Sequence, residues 1–203
     1  IRDSLTIALM CSTVNAQWTQ KGNKILGDSQ GDRCGSSVSI SADGNTIAIG
    51  AYANYSSSIN SNPGRVEVFE WIGTSWTQKG MEIDGEASGD SNGFSVSLSA
   101  DGNTLAIGAP YNDGVGTSRG YVRIYEWSGT NWLQRGSDIN GEDDYDGSGY
   151  SVSLSNDGNT LAIGAPFNDA VAYGPNSGHV RVYEWSGFYW AQKGTDIDGD
   201  GYY

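Results

Sequence analysis

The sequence predicts an all-β protein in which a four-stranded antiparallel unit is repeated as the blades of a partial β-propeller. Three observations carry this prediction. The same motifs return every 56–58 residues, the repeats contain runs that alternate with the strand period of two, and glycine accounts for 30 of 203 residues while proline accounts for 4. A chain rich in turn and strand formers and poor in helix formers is not a helical bundle.

The repeat is most visible at a tryptophan motif. Trp-x-Gln-Lys/Arg-Gly occurs four times, at 18–22, 76–80, 132–136 and 190–194. Counted from this motif, residues 17–203 divide into repeats 18–75, 76–131 and 132–189, with the start of a fourth repeat at 190–203. Self-similarity at such a period is typical of propellers and related repeat folds.

Each repeat supplies four strands. In the second repeat the first strand is Ser95–Ser99, and the Asp-Gly-Asn sequence at 101–103 is a tight hairpin signal because it accepts positive φ at little cost. The second strand is Thr104–Ala109. After a longer loop come the third strand, Tyr121–Trp127, and the fourth, which begins at the tryptophan motif. We therefore expect about three four-stranded antiparallel blades.

A propeller explains these strands better than a β-helix, which is the alternative. A lone four-stranded sheet leaves both faces wet, whereas blades bury their Trp and Val/Ile faces on their neighbours. A β-helix repeat is normally one short coil rather than two hairpins. Propellers close with about four to eight blades, so we expect the chain to be a fragment of a larger propeller, with the remaining blades supplied by a longer chain or by self-association.

The motifs at the first two strands resemble the FG-GAP repeat, the blade of the integrin-α propeller and of many secreted bacterial proteins. Gly93–Val96 with Ala106–Pro110 carries the resemblance, and Gly149–Val152 with Ala162–Pro166 matches equally well. The first repeat is a weaker match, and Cys34, Asn92 and Ser148 replace the aromatic residue that precedes the motif glycine. The resemblance covers essentially everything after residue 17. It implies a propeller used for adhesion or protein recognition.

The resemblance also implies a calcium loop between the first two strands, and here the sequence departs from it. That place holds only the short hairpins at Asp43, Asp101 and Asp157. One carboxylate per turn does not supply the six to eight oxygens that calcium takes, so we predict no metal site and no cofactor. Asp196–Gly201 matches the opening of a calcium loop. Because it aligns with Glu82–Ala87, we interpret it as a junction between a strand and a loop.

The first sixteen residues differ from the rest of the chain. Leu5–Cys11 is apolar, and Val14 and Ala16 are the small residues of a signal-peptidase site, so we predict a truncated secretory signal peptide at 1–16. The alternative is a short strand or a buried N-terminal segment. Cleavage would leave Cys34 without a disulfide partner. We therefore expect a protein that is secreted or displayed at the cell surface.

The charge of the chain excludes some partners. The formal net charge is −13 and the pI is near 4.2, so nucleic acid, which requires clustered Lys and Arg, is not an expected partner. No apolar run reaches the length of about 18–20 residues that a transmembrane segment needs. We expect the partner to be an extracellular protein or a glycan.

Candidate ligand-binding residues fall in two sets of loops that an antiparallel blade places on one face. These are the loops between strands two and three and those between strand four and the next blade. The candidates are Asp90, Asn112, Asp113, Asp146, Asn168 and Asp169. A group of carboxylates and amides could hold a cation or a ligand rich in amines or hydroxyls. Asp32, Asp90 and Asp146 recur three residues before the motif glycine, and this regularity favours turn capping for them instead.

The sequence contains no set of residues that predicts catalysis. His179 is the only histidine and aligns with Arg65 and Tyr121, and the Ser-Val-Ser tracts have no histidine partner for a nucleophile. The predicted function is a non-catalytic interaction module. One alternative is a carbohydrate-binding lectin with sugars stacked on tryptophans, although packing explains the repeated tryptophans better. The other is the non-catalytic propeller of a larger extracellular enzyme.

Overall fold

In a computed structural model of the protein, residues 18–55, 61–114, 116–169 and 176–199 are described. These residues contain fifteen β-strands and no helix, hence no helix that could cross a membrane. The strands form three antiparallel sheets of the same plan. The predicted all-β fold of about three blades is confirmed. The predicted signal peptide at 1–16 lies outside the described residues.

The three sheets repeat one order of strand lengths. The first contains β1 (Ser37–Ile40), β2 (Thr46–Ala51), β3 (Arg65–Trp71), β4 (Trp76–Gln78) and β5 (Ile83–Asp84). The second contains β6 (Ser95–Leu98), β7 (Thr104–Ala109), β8 (Tyr121–Trp127), β9 (Trp132–Gln134) and β10 (Ile139–Asn140). The third contains β11 (Ser151–Leu154), β12 (Thr160–Ala165), β13 (His179–Trp185), β14 (Trp190–Gln192) and β15 (Ile197–Asp198).

The outer strand of each blade is broken into two pieces. In the first sheet β4 and β5 both pair with β3, with Trp71 opposite Trp76 and Arg65 opposite Asp84. Gly80 lies between the two pieces with φ +81°, and a Cβ atom built on it would lie 2.7 Å from the Trp127 ring of the second sheet. The outer strand is interrupted where the tryptophan of the following sheet approaches it.

The sheets are out of phase with repeats counted from the tryptophan motif. The segment that opens the fourth sequence repeat completes the third sheet, because β14 and β15 pair with β13. The first copy of the motif, at 18–22, lies outside the assigned strands.

The hairpin between the first two strands is held by its aspartate. Asp43 Oδ1 accepts hydrogen bonds from Ser41 Oγ at 2.6 Å and from the Asn45 backbone N–H at 2.9 Å. Asp101 and Asp157 accept the same two bonds in their own hairpins. Short polar side chains that bond to the backbone two residues on are typical of tight turns, and these three aspartates occupy turns as predicted.

The first strands of the three sheets lie side by side. Ser39 Oγ accepts a hydrogen bond from the Leu98 N–H at 2.9 Å, and Ser97 Oγ accepts one from the Leu154 N–H at 2.9 Å. Serines of the Ser-Val-Ser motif therefore join β1 to β6 and β6 to β11. Neighbouring first strands also contact one another directly, which is the arrangement of successive propeller blades.

The core lies between the sheets rather than within one of them. Val66, Val68 and Ile83 of the first sheet pack against apolar side chains of the second, including Leu98 and Leu105. The second junction repeats this packing with the corresponding residues of the second and third sheets. Because each sheet buries its apolar faces only on its neighbours, the sequence period of 56–58 residues is also the period of the core.

Candidate functional site

All six candidate residues lie at one edge of the sheets. The register pairs Ser37 with Gly50, Gly50 with Val66, and Val66 with Ile83. The first strand therefore begins, the second ends, the third begins and the broken outer strand ends at the same edge, as the sequence predicted. We call this edge, with its loops, the loop face.

Asp90 and Asp146 are buried on the loop face and cap turns. Their exposed fractions are 2% and 1%. Asp90 Oδ2 accepts backbone N–H bonds from Glu86 and Ala87 at 3.2 and 2.9 Å, and Asp146 makes the equivalent pair of bonds. A carboxylate buried in this way organises the loop that carries it. The geometry gives both residues the turn-capping role rather than a surface position for a ligand.

The other four candidates divide into two buried and two exposed residues. The backbone carbonyl oxygens of Asn112 and Asn168 close their loops. They accept hydrogen bonds from the backbone N–H groups of Gly120 and Gly178 at 3.1 and 3.0 Å. Asp113 is exposed and accepts the Ser118 N–H at 2.9 Å. Asp169 is also exposed and accepts the Asn176 N–H at 2.7 Å. Each of the four residues is used within its own loop, and of the six candidates only Asp113 and Asp169 expose a carboxylate.

A row of aromatic rings crosses the loop face from the first sheet to the third. The row consists of Tyr52, Phe94, Tyr111, Tyr150 and Phe167. Along the row, the ring centroids of Tyr52 and Phe94 lie 5.5 Å apart, those of Phe94 and Tyr150 4.7 Å, and those of Tyr150 and Phe167 5.7 Å. The Tyr111 ring branches from the row, with its centroid 5.9 Å from that of Phe94. Tilted and edge-on contacts at these distances stabilise aromatic pairs.

The aromatic row is partly open to solvent. Tyr111, Tyr150 and Phe167 expose 41%, 37% and 41% of their surfaces. The sequence patterns did not predict this row. The available signal was positional, since an aromatic follows the motif glycine in two repeats and another follows Ala-Pro in two.

The loops of the second sheet are tied together by Arg119. Its Nε donates to Asp144 Oδ1 at 2.8 Å, and its Nη1 donates to the Glu142 carbonyl oxygen at 2.9 Å. The bond from Arg119 and one from the Thr117 N–H hold the pKa of Asp144 below its usual range. The loop between strands two and three thus contacts the loop that leads to the next sheet.

Ion pairs join each sheet to the segment that precedes it, near the loop face. An arginine of one sheet pairs with a carboxylate of the segment before it. The pairs are Arg65 with Asp28, Arg123 with Glu86 and Arg181 with Glu142. His179 joins the last of these groups, with its Nδ1 3.9 Å from Glu142 Oε2 and 3.7 Å from Asp196 Oδ2.

Glu142, His179 and Asp196 are also the one group of potential metal ligands found in the described part of the chain, with donor atoms within 4.8 Å of one another. Arg181 Nη1 lies 3.5 Å from Glu142 Oε1, so a cation already neutralises this carboxylate. His179 occupies the place of Arg65 in the first sheet, where the arginine is salt-bridged to three carboxylates. We therefore interpret the group as polar contacts that accompany the Arg181–Glu142 ion pair.

Of the motif tryptophans, Trp132 and Trp190 pack between the sheets, whereas Trp18 is fully exposed. Trp132 is buried and donates from Nε1 to the Lys79 carbonyl oxygen at 2.8 Å, while the Lys79 ammonium lies 5.3 and 5.7 Å from the Trp127 and Trp132 ring centroids. Arg135 takes the same place over Trp185 and Trp190. Ring faces covered by a cation of the neighbouring sheet are not surfaces on which a sugar stacks.

Cys34 is half-buried beside the first sheet. Burial raises the pKa of its thiol, and the carboxylates of Glu67, Asp28 and Asp32 raise it further. A thiol that is kept protonated is a poor nucleophile.

No protein-family model and no curated protein matches the chain. Among solved structures, it is similar to hydrazine synthase of Kuenenia stuttgartiensis, with 14% identity, a TM-score of 0.47, and coverage of 89% of this chain and 41% of that chain. It is also similar to Sqt1 of Saccharomyces cerevisiae, with 12% identity, a TM-score of 0.51, and coverage of 84% and 36%. The chain spans about two fifths of the length of these structures, and likeness at this identity concerns the fold alone.

Proposed function

We propose that the protein is a non-catalytic interaction module of FG-GAP type, secreted or displayed at the cell surface, which binds an extracellular protein through the aromatic row. The observation that carries the proposal is the exposure of Tyr111, Tyr150 and Phe167 in one contiguous row. Aromatic side chains are enriched at the centres of protein interfaces because they bury a large area at a small cost in conformational entropy.

The surroundings of the aromatic row support a partner of particular chemistry. Asp113 and Asp169 lie in the loops that begin with Asn112 and Asn168, and the whole chain has a formal charge of −13. Charge complementarity therefore favours a partner surface with apolar side chains bordered by Lys or Arg. A glycan is the second candidate ligand, because exposed rings beside carboxylates and amides also suit sugars.

The test is to probe an array of extracellular proteins and a glycan array with the labelled protein and with its Tyr111→Ala/Phe167→Ala variant. The matched control is Phe188→Ala, which removes an 88% exposed ring from the hairpin between β13 and β14, at the opposite edge of the sheets. We expect protein binding that the double variant loses by at least tenfold and the control keeps. Equal binding by both variants would overturn the proposal, and binding displaced by a monosaccharide would favour the lectin.

The proposal includes no cofactor. Asp43, Asp101 and Asp157 already accept hydrogen bonds from serine and asparagine of their own turns. We expect calorimetric titration with calcium to show no binding tighter than the millimolar range of weak extracellular sites. A micromolar site that Asp101→Ala abolishes would contradict this.

Export is the part of the proposal that depends on residues 1–16. The small residues Val14 and Ala16 favour cleavage after Ala16. If the chain is expressed behind an added Met and a short basic segment, the N-terminal sequence of the secreted product should begin at Gln17. A secreted product that retains Leu5–Ala16 would show that this segment is not a signal peptide.

A further inference from the structure

A cleft lined by glycines recurs in each sheet, and in the first two sheets the next sheet fills it. In the first sheet the glycines are Gly50, Gly64 and Gly85. A Cβ atom built on Gly50 would lie 2.1 Å from the Gly93 carbonyl oxygen, and one built on Gly64 would lie 2.4 Å from the Asn92 carbonyl oxygen. Only residues without side chains allow the backbone of the following sheet to approach so closely.

The second sheet repeats the arrangement. A Cβ atom built on Gly108 would lie 2.1 Å from the Gly149 carbonyl oxygen, and one built on Gly120 would lie 2.1 Å from that of Ser148. The inserted segments are Asp90–Gly93 and Asp146–Gly149, which we call docking loops. Each is fixed by hydrogen bonds, from the Asn92 N–H to Pro63 O and from the Ser148 N–H to Arg119 O, both at 2.9 Å.

The third sheet has the same cleft, lined by Gly164, Gly178 and Gly199, but no docking loop of the described residues lies in it. Cβ atoms built on these glycines meet only atoms of the third sheet's own repeat. The cleft has a volume of about 350 Å³. The apolar side chains beside it are uncovered, with Val180 and Ile197 37% and 62% exposed, whereas their equivalents Val122 and Ile139 in the second sheet are buried.

The first sheet carries the matching docking loop, Asp32–Gly35, and no neighbouring sheet in the described part of the chain packs against its motif glycine. Among the described residues, none except its chain neighbours has an atom within 4 Å of a Cβ built on Gly35. The loop has the conformation of the docked loop at 90–93, since φ is 59° at both Arg33 and Ser91 and 84° and 83° at Gly35 and Gly93.

The apolar face beside this loop is also uncovered. Val38 and Ile40 are 60% and 58% exposed, whereas Val96 and Leu98, at the same positions of the second sheet, are buried. The two uncovered faces thus carry, at equivalent positions, the same kinds of side chain as the faces that form the two junctions within the chain. A surface preorganised for a neighbour of known composition binds that neighbour at a low conformational cost.

We propose that two copies of the chain associate head to tail, with Asp32–Gly35 of one copy docking in the cleft of Gly164, Gly178 and Gly199 of the other. Val38 and Ile40 then cover Val180 and Ile197, as Val96 and Leu98 cover Val66 and Ile83 inside the chain. Two copies supply six sheets, which lies within the range of closed propellers. This association does not depend on the function proposed for the aromatic row, although Tyr150 of that row also lines the cleft.

The segment Trp18–Asp28, which we call the strap, competes with this association. Lys21 Nζ donates to Gly44 O and Asn45 Oδ1, both at 2.8 Å, as Lys79 does to Gly102 and Asn103 of the second sheet at 3.0 Å. The strap therefore occupies on the first sheet the position of a preceding outer strand. Lys193 is the equivalent of Lys21 in the third sheet, so the outer strand of the second copy must displace the strap.

The association is tested first by charge exchange, using sedimentation velocity over a range of concentrations. The wild type should form a dimer. Two double variants should be monomeric, because each places two charges on a face that the dimer buries: Val38→Glu/Ile40→Glu on the first sheet and Val180→Lys/Ile197→Lys on the third. An equimolar mixture of the two variants should restore the dimer, since Glu then meets Lys at one junction and the other junction is native. Leu133→Glu, at a 58% exposed position of β9, is the control and should remain a dimer.

The strap is tested by two lysine variants whose effects should be opposite. Lys21→Ala should tighten dimerisation at least fivefold because it loosens the strap, whereas Lys193→Ala should weaken it by a similar factor. A monomeric wild type, a dimer that survives both charged variants, a mixture that stays monomeric, or two lysine variants that shift the dimer in the same direction would each overturn the proposal.

Discussion

Aspartates at two kinds of position differ in what they contact and in how exposed they are. Those of the hairpins, such as Asp43, lie at the surface and accept bonds from side chain and backbone of one turn. Those before the motif glycine, such as Asp90, are buried and cap the backbone of a loop. The same residue type thus shapes the hairpin end of the sheet and the loop face at its other end.

The hairpin aspartates should make stability depend on pH in the acid range. Hydrogen bonds from Ser41 and Asn45 lower the pKa of Asp43 to about 2. Burial raises the pKa of Asp101, but the hydrogen bonds from Ser99 and Asn103 outweigh it, so the net shift is downward. Hydrogen bonds also lower the pKa of Asp157. A folded-state pKa below the unfolded value of about 3.9 stabilises the protein above that pH, and the contribution is lost as pH falls through the folded pKa.

The test is urea unfolding at pH 7 and pH 3 for the wild type and for a variant with Asn at positions 43, 101 and 157. The variant should lose less stability between the two pH values than the wild type does. Asp113→Asn, in an exposed loop, is the control and should follow the wild type. Equal losses in the wild type and the triple variant would assign the acid sensitivity to other groups.

At the scale of elements, the broken outer strand connects successive sheets. Lys79 lies just beyond β4, donates to the hairpin of the second sheet and is placed over two tryptophans of that sheet. Its burial lowers its pKa, while Glu70, Asp101 and Asp43 oppose that effect. Arg135 makes the same contacts with the third sheet, so either cation serves at this position.

Replacement of Lys79 should separate the role of its charge from that of its size. Lys79→Met should lower the free energy of unfolding by about 2 kcal/mol, because it removes two charge-assisted hydrogen bonds and the cation–π contacts. Lys79→Arg should cost less than about 0.5 kcal/mol, since arginine already occupies the equivalent position 135. Chemical denaturation measures both values, and equal losses in the two variants would contradict a role for the charge.

At the scale of the whole molecule, the position of a sheet in the series decides how much its residues contribute to stability. Leu98 and Ile40 hold the same place in two repeats, yet Leu98 is 7% exposed between two sheets and Ile40 is 58% exposed. Since stability in repeat folds comes largely from interfaces between neighbours, equivalent substitutions in the two sheets should have unequal effects.

Leu98→Ala should cost about 2–4 kcal/mol because it leaves a cavity between sheets, and Ile40→Ala should change stability by less than about 0.5 kcal/mol. Urea unfolding at a low protein concentration, where association is negligible, provides the measurement. Similar losses for both variants would mean that the first strands of both sheets are buried to the same extent.

The sequence by itself determined the strands and turns. Ser-Val-Ser alternation, the Asp-Gly-Asn turns and the tryptophan motif depend on residues close together in the chain. They therefore predicted four strands in each blade, the fourth beginning at the tryptophan motif, and the common edge of the loops. The break in the outer strand was not predicted, because it arises where Trp127 of the next sheet approaches Gly80.

Only the tertiary structure decided which polar residues stay at the surface and which rings meet. Asp90 and Asp113 are both acidic loop residues in the sequence. In the structure Asp90 is buried and caps a turn, whereas Asp113 keeps an exposed carboxylate. Phe94 and Tyr150 are 56 residues apart in the chain and 4.7 Å apart in space. Contacts between sheets join residues a full repeat apart, and local sequence patterns carry no record of which side chains will face each other across that distance.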